Sequence, residues 1–228
     1  MKTPDFPRHI TKEELAELPL AGFEGEVIVV NNRHQLAPAV AYLAQQEIVG
    51  VDTETRPSFV RGLHYPTALV QVATLERCYL FQINCIGMPP ALVELFQNPN
   101  IRKVGLAFND DLNGLRRLRQ FEPQNCADLQ KMVNDYGIFD LGLQKIYAII
   151  FRERISKSQQ LTNWDTPKLT PEQARYASTD AWATLRIYLA LQEWKPLSRR
   201  KVMQLKAEEK EMMIRHQQEV TGQQKTEN

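Results

Sequence analysis

Short runs rich in β-branched and aromatic residues occupy the first half of the chain, and longer runs with helical spacing follow them. Such runs are typical of strands, and this order of elements favours a layered α/β protein with an α+β arrangement. Only Leu75 and Glu76 separate two of the strand candidates, so at least one strand pair should be antiparallel. The sequence therefore predicts a central mixed sheet flanked by helices. The strand candidates are residues 26–30, 48–53, 67–74, 77–83, 103–108 and 125–128.

The longest helix candidate, residues 171–191, has a clear N-terminal signal. Thr170 is the expected N-cap, Pro171 takes the first helical position, and Gln173 can complete a capping box. Further helices are predicted at residues 34–46, 90–95, 129–136 and 141–150. Three segments are then expected: an N-terminal extension at 1–25, a folded domain at 26–194, and a charged tail at 195–228 that is helical or disordered.

Charge, hydropathy and cysteine usage narrow the class of protein. The 28 Lys and Arg residues against 27 Asp and Glu residues give a formal net charge of +1, so any site for a polyanion must be local. The N-terminus has no signal-peptide pattern and no run approaches the ~18 apolar residues of a membrane span, so a cytoplasmic protein with no membrane partner is expected. The cysteines show no ligand spacing, which predicts reduced, mostly buried thiols with no disulfide partner and no zinc. They are Cys78, Cys85 and Cys126.

Two carboxylates end the second strand candidate. Asp52 and Glu54 are two residues apart, and side chains at that spacing lie on one face of a strand. Partly buried like charges are costly unless a cation or a shared proton offsets them. A divalent metal with oxygen ligands is the usual solution. The alternative is a strand that simply emerges into solvent, where Asp and Glu begin a turn.

Two further acids stand at the start and in the middle of predicted helices. Asp110 and Asp111 follow the strand at 103–108, and capping of the next helix would need only one of them. Tyr176 and Asp180 are four residues apart and so share a helix face. An exposed Asp180 opposite the packed face is the alternative.

Together, three motifs in chain order resemble those of the DEDD superfamily of 3′-to-5′ exonucleases. They are Asp52-x-Glu54, Asp111 with Leu115 four residues later, and Tyr176 four residues before Asp180. The tyrosine indicates the subgroup that includes ribonuclease D and the Werner-syndrome exonuclease domain. The stretch from 157 to 170 is also similar to Werner-type domains. The resemblance covers about residues 26 to 192 and implies a ribonuclease H-like fold, with an exonuclease domain at 26–194.

The resemblance also implies a chemistry. Asp52, Glu54, Asp111 and Asp180 would hold two divalent ions, Mg²⁺ or Mn²⁺, and Tyr176 would orient the attacking water. The substrate would be DNA or RNA with a free 3′ end, released as nucleoside 5′-monophosphates. A catalytically inactive nucleic-acid or protein-binding module, and an endonuclease of the same fold, are the alternatives, and the oligomeric state is not indicated. The candidate substrate contacts are Arg56, Arg61, Lys157, Asn163 and Trp164, with Phe59 expected either to stack on a base or to lie in the core.

Overall fold

A computed structural model describes residues 2–226, with side chains described as far as Met212 and at Ile214. Within that range the strands are β1 (Glu26–Val30), β2 (Ile48–Thr55), β3 (Thr67–Ala73), β4 (Arg77–Gln82), β5 (Arg102–Gly105) and β6 (Cys126–Asp128). The helices are α1 (Lys12–Ala16), α2 (Arg33–Leu43), α3 (Ile83–Ile86), α4 (Pro90–Gln97), α5 (Phe108–Leu118), α6 (Leu129–Met132), α7 (Leu143–Phe151), α8 (Pro171–Gln192) and α9 (Arg199–Thr226). A 3₁₀ turn, Val133–Tyr136, follows α6.

The six strands form one mixed sheet in the order β1-β4-β3-β2-β5-β6. Strand β3 runs antiparallel to its neighbours β2 and β4, while the other neighbouring pairs are parallel. The predicted hairpin between β3 and β4 and the predicted mixed sheet are both confirmed. Strand β2, which carries the first acidic motif, lies inside the sheet with β3 on one side and β5 on the other.

Helices cover both faces of the sheet, and the alternation along β2 decides which residues meet which helix. Val49 and Val51 pack into the core formed with α2, α4 and α5. Gly50, Asp52 and Glu54 point to the opposite face, where helix α8 crosses the sheet and packs against it through Ala177, Ala181 and Ala183.

Gly50 permits an unusually close approach of α8 to β2. A Cβ atom at this position would collide with the Ala181 carbonyl oxygen and would lie 2.8 Å from Thr184 Oγ1. The helix therefore rests on the strand backbone, two residues before Asp52 and one residue after Asp180. This contact brings the first and third motifs together.

The segments outside the central sheet pack onto it. The Ala21 amide donates to the Arg154 carbonyl at 2.8 Å, and the Phe23 amide donates to Thr179 Oγ1 at 3.0 Å. Helix α9 also contacts the N-terminal segment, where His9 Nε2 lies 2.8 Å from Glu209 Oε1. The charged tail is thus helical from Arg199 to Thr226, and residues 227–228 lie outside the described residues.

Some expectations differ from the structure. The strand predicted to reach residue 108 ends at Gly105, because Ala107 adopts a left-handed conformation (φ 53°) and α5 begins at the next residue. Cys78 is buried as expected, but Cys85 and Cys126 are exposed, since α3 and the edge strand β6 turn them outward. All three are free thiols. No helix in the described part of the chain combines the length and the apolar character that crossing a membrane requires.

Candidate active site

Three of the predicted acids meet where β2 passes beneath α8. The carboxylates of Asp52, Glu54 and Asp180 each offer an oxygen within 4.8 Å of the other two, and they are called the three-acid cluster below. Strand alternation places the first two side by side, and the contact at Gly50 delivers the third. Asp180 is only 7% exposed, so the alternative of a solvent-facing aspartate is wrong.

The three-acid cluster carries more negative charge than its surroundings offset. Burial raises the pKa of Asp52 to about 8, and the charge of Asp180 adds to this effect. Burial likewise raises the pKa of Glu54 to about 10, with further contributions from Asp52 and Asp180. For Asp180 burial raises the pKa to about 7, against the opposing effects of the Tyr176 hydroxyl and the charge of Lys157. The cluster therefore holds protons at neutral pH, or a cation in their place.

Asp111 lies at the edge of the three-acid cluster and is not a member of it. Its carboxylate accepts a hydrogen bond from Thr53 Oγ1 at 2.5 Å, on the opposite face of β2 from Asp52. Burial raises its pKa to about 8, and the charge of Asp52 adds to this. The neighbouring Asp110 is exposed in the first turn of α5. Of the two adjacent acids, Asp111 is therefore the one whose charge reaches the cluster.

Tyr176 stands one turn before Asp180 on α8 and is 8% exposed. Burial, followed by the charge of Asp180, holds the pKa of its hydroxyl far above the usual range, so it stays protonated. The predicted capping box of Thr170 and Gln173 is confirmed, and Gln173 also donates to the Asn163 carbonyl at 3.1 Å. These bonds tie the preceding loop to the helix that carries Tyr176 and Asp180.

The indole of Trp164 is buried in the core. It is 1% exposed, and its ring centroid lies 5.8 Å from that of Tyr176. The expected substrate contact of Trp164 does not fit this placement, because a buried ring offers no face to a ligand. Its ring instead packs behind Tyr176 and limits the directions that the tyrosine can take.

A cavity of about 330 Å³ opens in front of the three-acid cluster. Lys157 also lines this cavity, close enough to the acids for its charge to lower the pKa of Asp180. Three glutamines that line the cavity were not predicted from the sequence, because their spacing in the chain follows no motif. They are Gln130, Gln144 and Gln160. The cavity is lined by Asp52, Thr53, Glu54, Leu106, Gln130, Leu141, Gly142, Leu143, Gln144, Ile155, Ser156, Lys157, Gln160, Tyr176 and Asp180.

A second cavity, of about 340 Å³, lies beside the loop that follows β2. Arg56 and Asn163 are brought together in its wall, and the Arg56 guanidinium stacks on Tyr65 at 4.8 Å. Phe59 is 85% exposed there, so its assignment to the core is wrong. Arg61 is exposed on the same loop but lines neither this cavity nor the one at the acids.

The comparison with known proteins decides the family. A family model described as 3′-5′ exonuclease matches residues 27–194. The chain belongs to the 3′-5′ exonuclease family. The resemblance inferred from the three motifs is thereby confirmed. Exonucleases of this type use divalent metals, and the three-acid cluster supplies the oxygen ligands for one.

Two relatives of this chain are much longer proteins. The human exonuclease mut-7 homolog is 27% identical over 179 residues, which are 66% of this chain and 20% of that protein. The mouse bifunctional 3′-5′ exonuclease/ATP-dependent helicase WRN is 28% identical over 155 residues, 65% of this chain and 11% of that protein. The chain thus spans at most a fifth of either relative.

The fold of this chain is shared with solved structures. The crystal structure of Escherichia coli RNase D matches with a TM-score of 0.65 at 22% identity, covering 75% of this chain and 44% of that one. At this level of identity the likeness concerns the fold. The predicted ribonuclease H-like architecture, a mixed sheet flanked by helices, is confirmed.

Proposed function

We propose that the chain is a metal-dependent 3′-to-5′ exonuclease that releases nucleoside 5′-monophosphates from the free 3′ end of DNA or RNA. The observation that carries the proposal is the convergence of three carboxylates from two separate elements within 4.8 Å. They stand in a cavity that Tyr176 and Lys157 also line. A purely structural cluster of buried acids would be costly to fold without a role for its charge.

The donor set fits two ions of Mg²⁺ or Mn²⁺. All ligands are carboxylate oxygens, which these hard cations prefer, and burial together with mutual repulsion raises the pKa of each acid, an effect that the charge of Lys157 offsets only in part at Asp180. The three-acid cluster would hold one ion, and Asp111 with Asp52 would hold the second. When bound, two such ions supply an activated water and stabilise the charge on the leaving oxygen.

The remaining roles fall to side chains around the acids. The protonated hydroxyl of Tyr176, next to Asp180, would orient the attacking water, because a hydroxyl with so high a pKa is a donor and not a base. Lys157 would contact the scissile phosphate from the lining of the same cavity. Arg56 and Asn163 would hold the preceding nucleotide in the second cavity, and Arg61 would add positive charge on the same loop.

A degradation assay tests this function. Single- and double-stranded DNA and RNA, each labelled at the 5′ end, are incubated with the full chain in Mg²⁺, Mn²⁺ or EDTA. We expect a ladder that shortens from the 3′ end with either metal and no products in EDTA. Asp180→Asn, which keeps the size of the side chain, should show no ladder. A substrate blocked at its 3′ end should survive; cleavage of that substrate would identify an endonuclease.

The same experiment tests the inactive binding module. Binding of these substrates without degradation under every metal condition would overturn the exonuclease proposal. Degradation by Asp180→Asn at the rate of the unmodified chain would overturn the assignment of the site.

A further inference from the structure

Thr53 lies between Asp52 and Glu54 in the sequence, but its side chain contacts a different acid, Asp111. Successive side chains of a strand point to opposite faces, so Asp52 and Glu54 face α8 while Thr53 faces α5. There its hydroxyl donates to Asp111 Oδ1 at 2.5 Å. The tripeptide from Asp52 to Glu54 thus provides two acids on one side of β2, and its middle residue holds Asp111 on the other side.

Asp111 needs such a partner because its surroundings repel it. The carboxylates of Asp52, Asp110 and Asp128 all act on it with like charge. Among the described residues, no lysine, arginine or histidine lies within ion-pair distance of Asp111, and Thr53 is the one side chain that donates to it. The Thr53 hydroxyl is therefore the described contact that opposes this repulsion and holds Asp111 beside the cluster.

The hydrogen bond also makes the two carboxylate oxygens of Asp111 different from each other. Thr53 occupies Oδ1, and Oδ2 accepts no hydrogen bond among the described residues. A carboxylate with one oxygen fixed has lost most of its rotational freedom before any ligand arrives, so less entropy is lost when the other oxygen binds.

We propose that Thr53 is a positioning residue that presents Asp111 to the second metal ion. The inference rests on the proposed function for the presence of that ion. It assigns to the hydroxyl, and not to the bulk, of the middle residue of the first motif the task of holding Asp111 in place. Thr53 touches neither the ion nor the substrate in this role and acts through Asp111.

The experiment measures Mn²⁺ binding to the full chain by isothermal titration calorimetry, without nucleic acid. Thr53→Val keeps the branched shape and removes the hydroxyl, whereas Thr53→Ser keeps the hydroxyl and removes the methyl group. We expect two binding events in the unmodified chain. Thr53→Val should weaken the weaker event by about tenfold and leave the stronger one unchanged, since a hydrogen bond to a charged group has that magnitude. Thr53→Ser should bind like the unmodified chain.

The double variant Thr53→Val with Asp111→Ala separates positioning from general loss of structure. If Thr53 acts through Asp111, the added Thr53→Val change has no effect on Mn²⁺ binding in the Asp111→Ala background. Equal weakening of both binding events, unchanged or tighter binding in Thr53→Val, or a loss in Thr53→Ser would overturn the proposal. Circular dichroism of each variant shows whether it folds. If Thr53→Val does not fold, Thr53→Ala takes its place as the variant without the hydroxyl, and Thr53→Ser remains the control that keeps it.

These outcomes are independent of nuclease activity. Two Mn²⁺ ions with the expected response to Thr53→Val, in a chain that degrades no nucleic acid, would defeat the proposed function and leave the role of Thr53 standing. An active nuclease whose Thr53→Val variant binds Mn²⁺ normally would defeat only the role of Thr53.

Discussion

Gln71 on β3 lies directly opposite Asp52 on β2 in the antiparallel register, and both atoms of its fully buried amide lack a hydrogen-bond partner among the described residues. Its neighbours Leu69 and Ala73 face α8, so the Gln71 side chain occupies the layer between the sheet and that helix. A buried amide without partners costs about 1–3 kcal/mol for each unsatisfied group. An amide without a described partner therefore lies beside Asp52, one of the three clustered acids.

Replacing the Gln71 amide by an apolar group of similar shape should stabilise the fold. We expect Gln71→Met to raise the free energy of unfolding by about 1 kcal/mol, because it removes an unsatisfied donor and acceptor together. Urea unfolding in EDTA, followed by circular dichroism, measures the change. Gln82→Met is the matched control and should be destabilising, since the Gln82 amide nitrogen donates to the Thr166 carbonyl at 3.0 Å. A loss of stability in Gln71→Met would show that the amide is satisfied, for example by a buried water.

The metal-free protein should lose stability as the pH rises. The pKa of Asp180 is raised to about 7 and that of Asp52 to about 8, from an ordinary value of 3.8 that applies to the unfolded chain. A group with a raised pKa in the folded state contributes its full stability below the unfolded pKa and loses it as the pH passes through the folded one. In EDTA we therefore expect the melting temperature to fall between about pH 5 and about pH 8.

Asp52→Asn isolates the contribution of the cluster to this pH dependence. The variant removes one of the like charges, so its melting temperature should fall less steeply over the same range, and excess Mg²⁺ should flatten the curve of the unmodified chain. Parallel curves for the two proteins in EDTA would contradict the prediction.

Gly50→Ala should separate the first motif from the third. The added Cβ would collide with the Ala181 carbonyl oxygen, and backbone atoms cannot yield as a flexible side chain does. We expect a loss of about 3 kcal/mol or more in stability, with weaker Mn²⁺ binding where the variant still folds. Gly22→Ala is the control, because its Cβ would meet side-chain atoms of Arg175 and Thr179 at an ordinary 3.5 Å. Calorimetric unfolding of the two variants compares them, and equal stability would refute the close contact.

Tyr176→Phe should slow degradation without weakening metal binding. The hydroxyl orients water in the proposed function and contributes no ligand oxygen, so the rate constant should fall about 10- to 100-fold while the Mn²⁺ titration stays unchanged. Single-turnover degradation of a labelled oligonucleotide measures the rate. Trp164, which packs behind the same ring, should remain buried in the variant, and an unchanged emission maximum of the three tryptophans together provides the check. A full-speed Phe variant would remove Tyr176 from the mechanism.

Local patterns in the sequence predicted much of this fold and part of the site. Strand alternation put Asp52 and Glu54 on one face, and helical spacing put Tyr176 beside Asp180, because both rules involve only a few neighbouring residues. The capping box at Thr170 was equally local.

Features that depend on contacts between distant segments were not predicted. Thr53 reaches Asp111 across 58 positions of the chain, and nothing in the first motif marks its middle residue as a donor. Trp164 was expected at the substrate because its stretch resembles Werner-type domains, yet the loop that carries it is bonded to the capping residue Gln173 of α8 and the indole is buried. The exposure of Cys126 follows from β6 being the last strand of the sheet, which only the strand order reveals.

The hydrogen bonds donated by the amides of Ala21 and Phe23 link the N-terminal segment to both sides of the site. One of them ends at Arg154, three positions before Lys157, and the other ends at Thr179, immediately before Asp180. The segment before Lys157 and the helix that carries Asp180 are therefore both hydrogen-bonded to a stretch of chain that precedes residue 27, where the region matched by the family model starts. A version of the chain trimmed to that limit should keep every proposed metal ligand and yet lose both of these hydrogen bonds, and with them a link between the segment before Lys157 and the helix that carries Asp180.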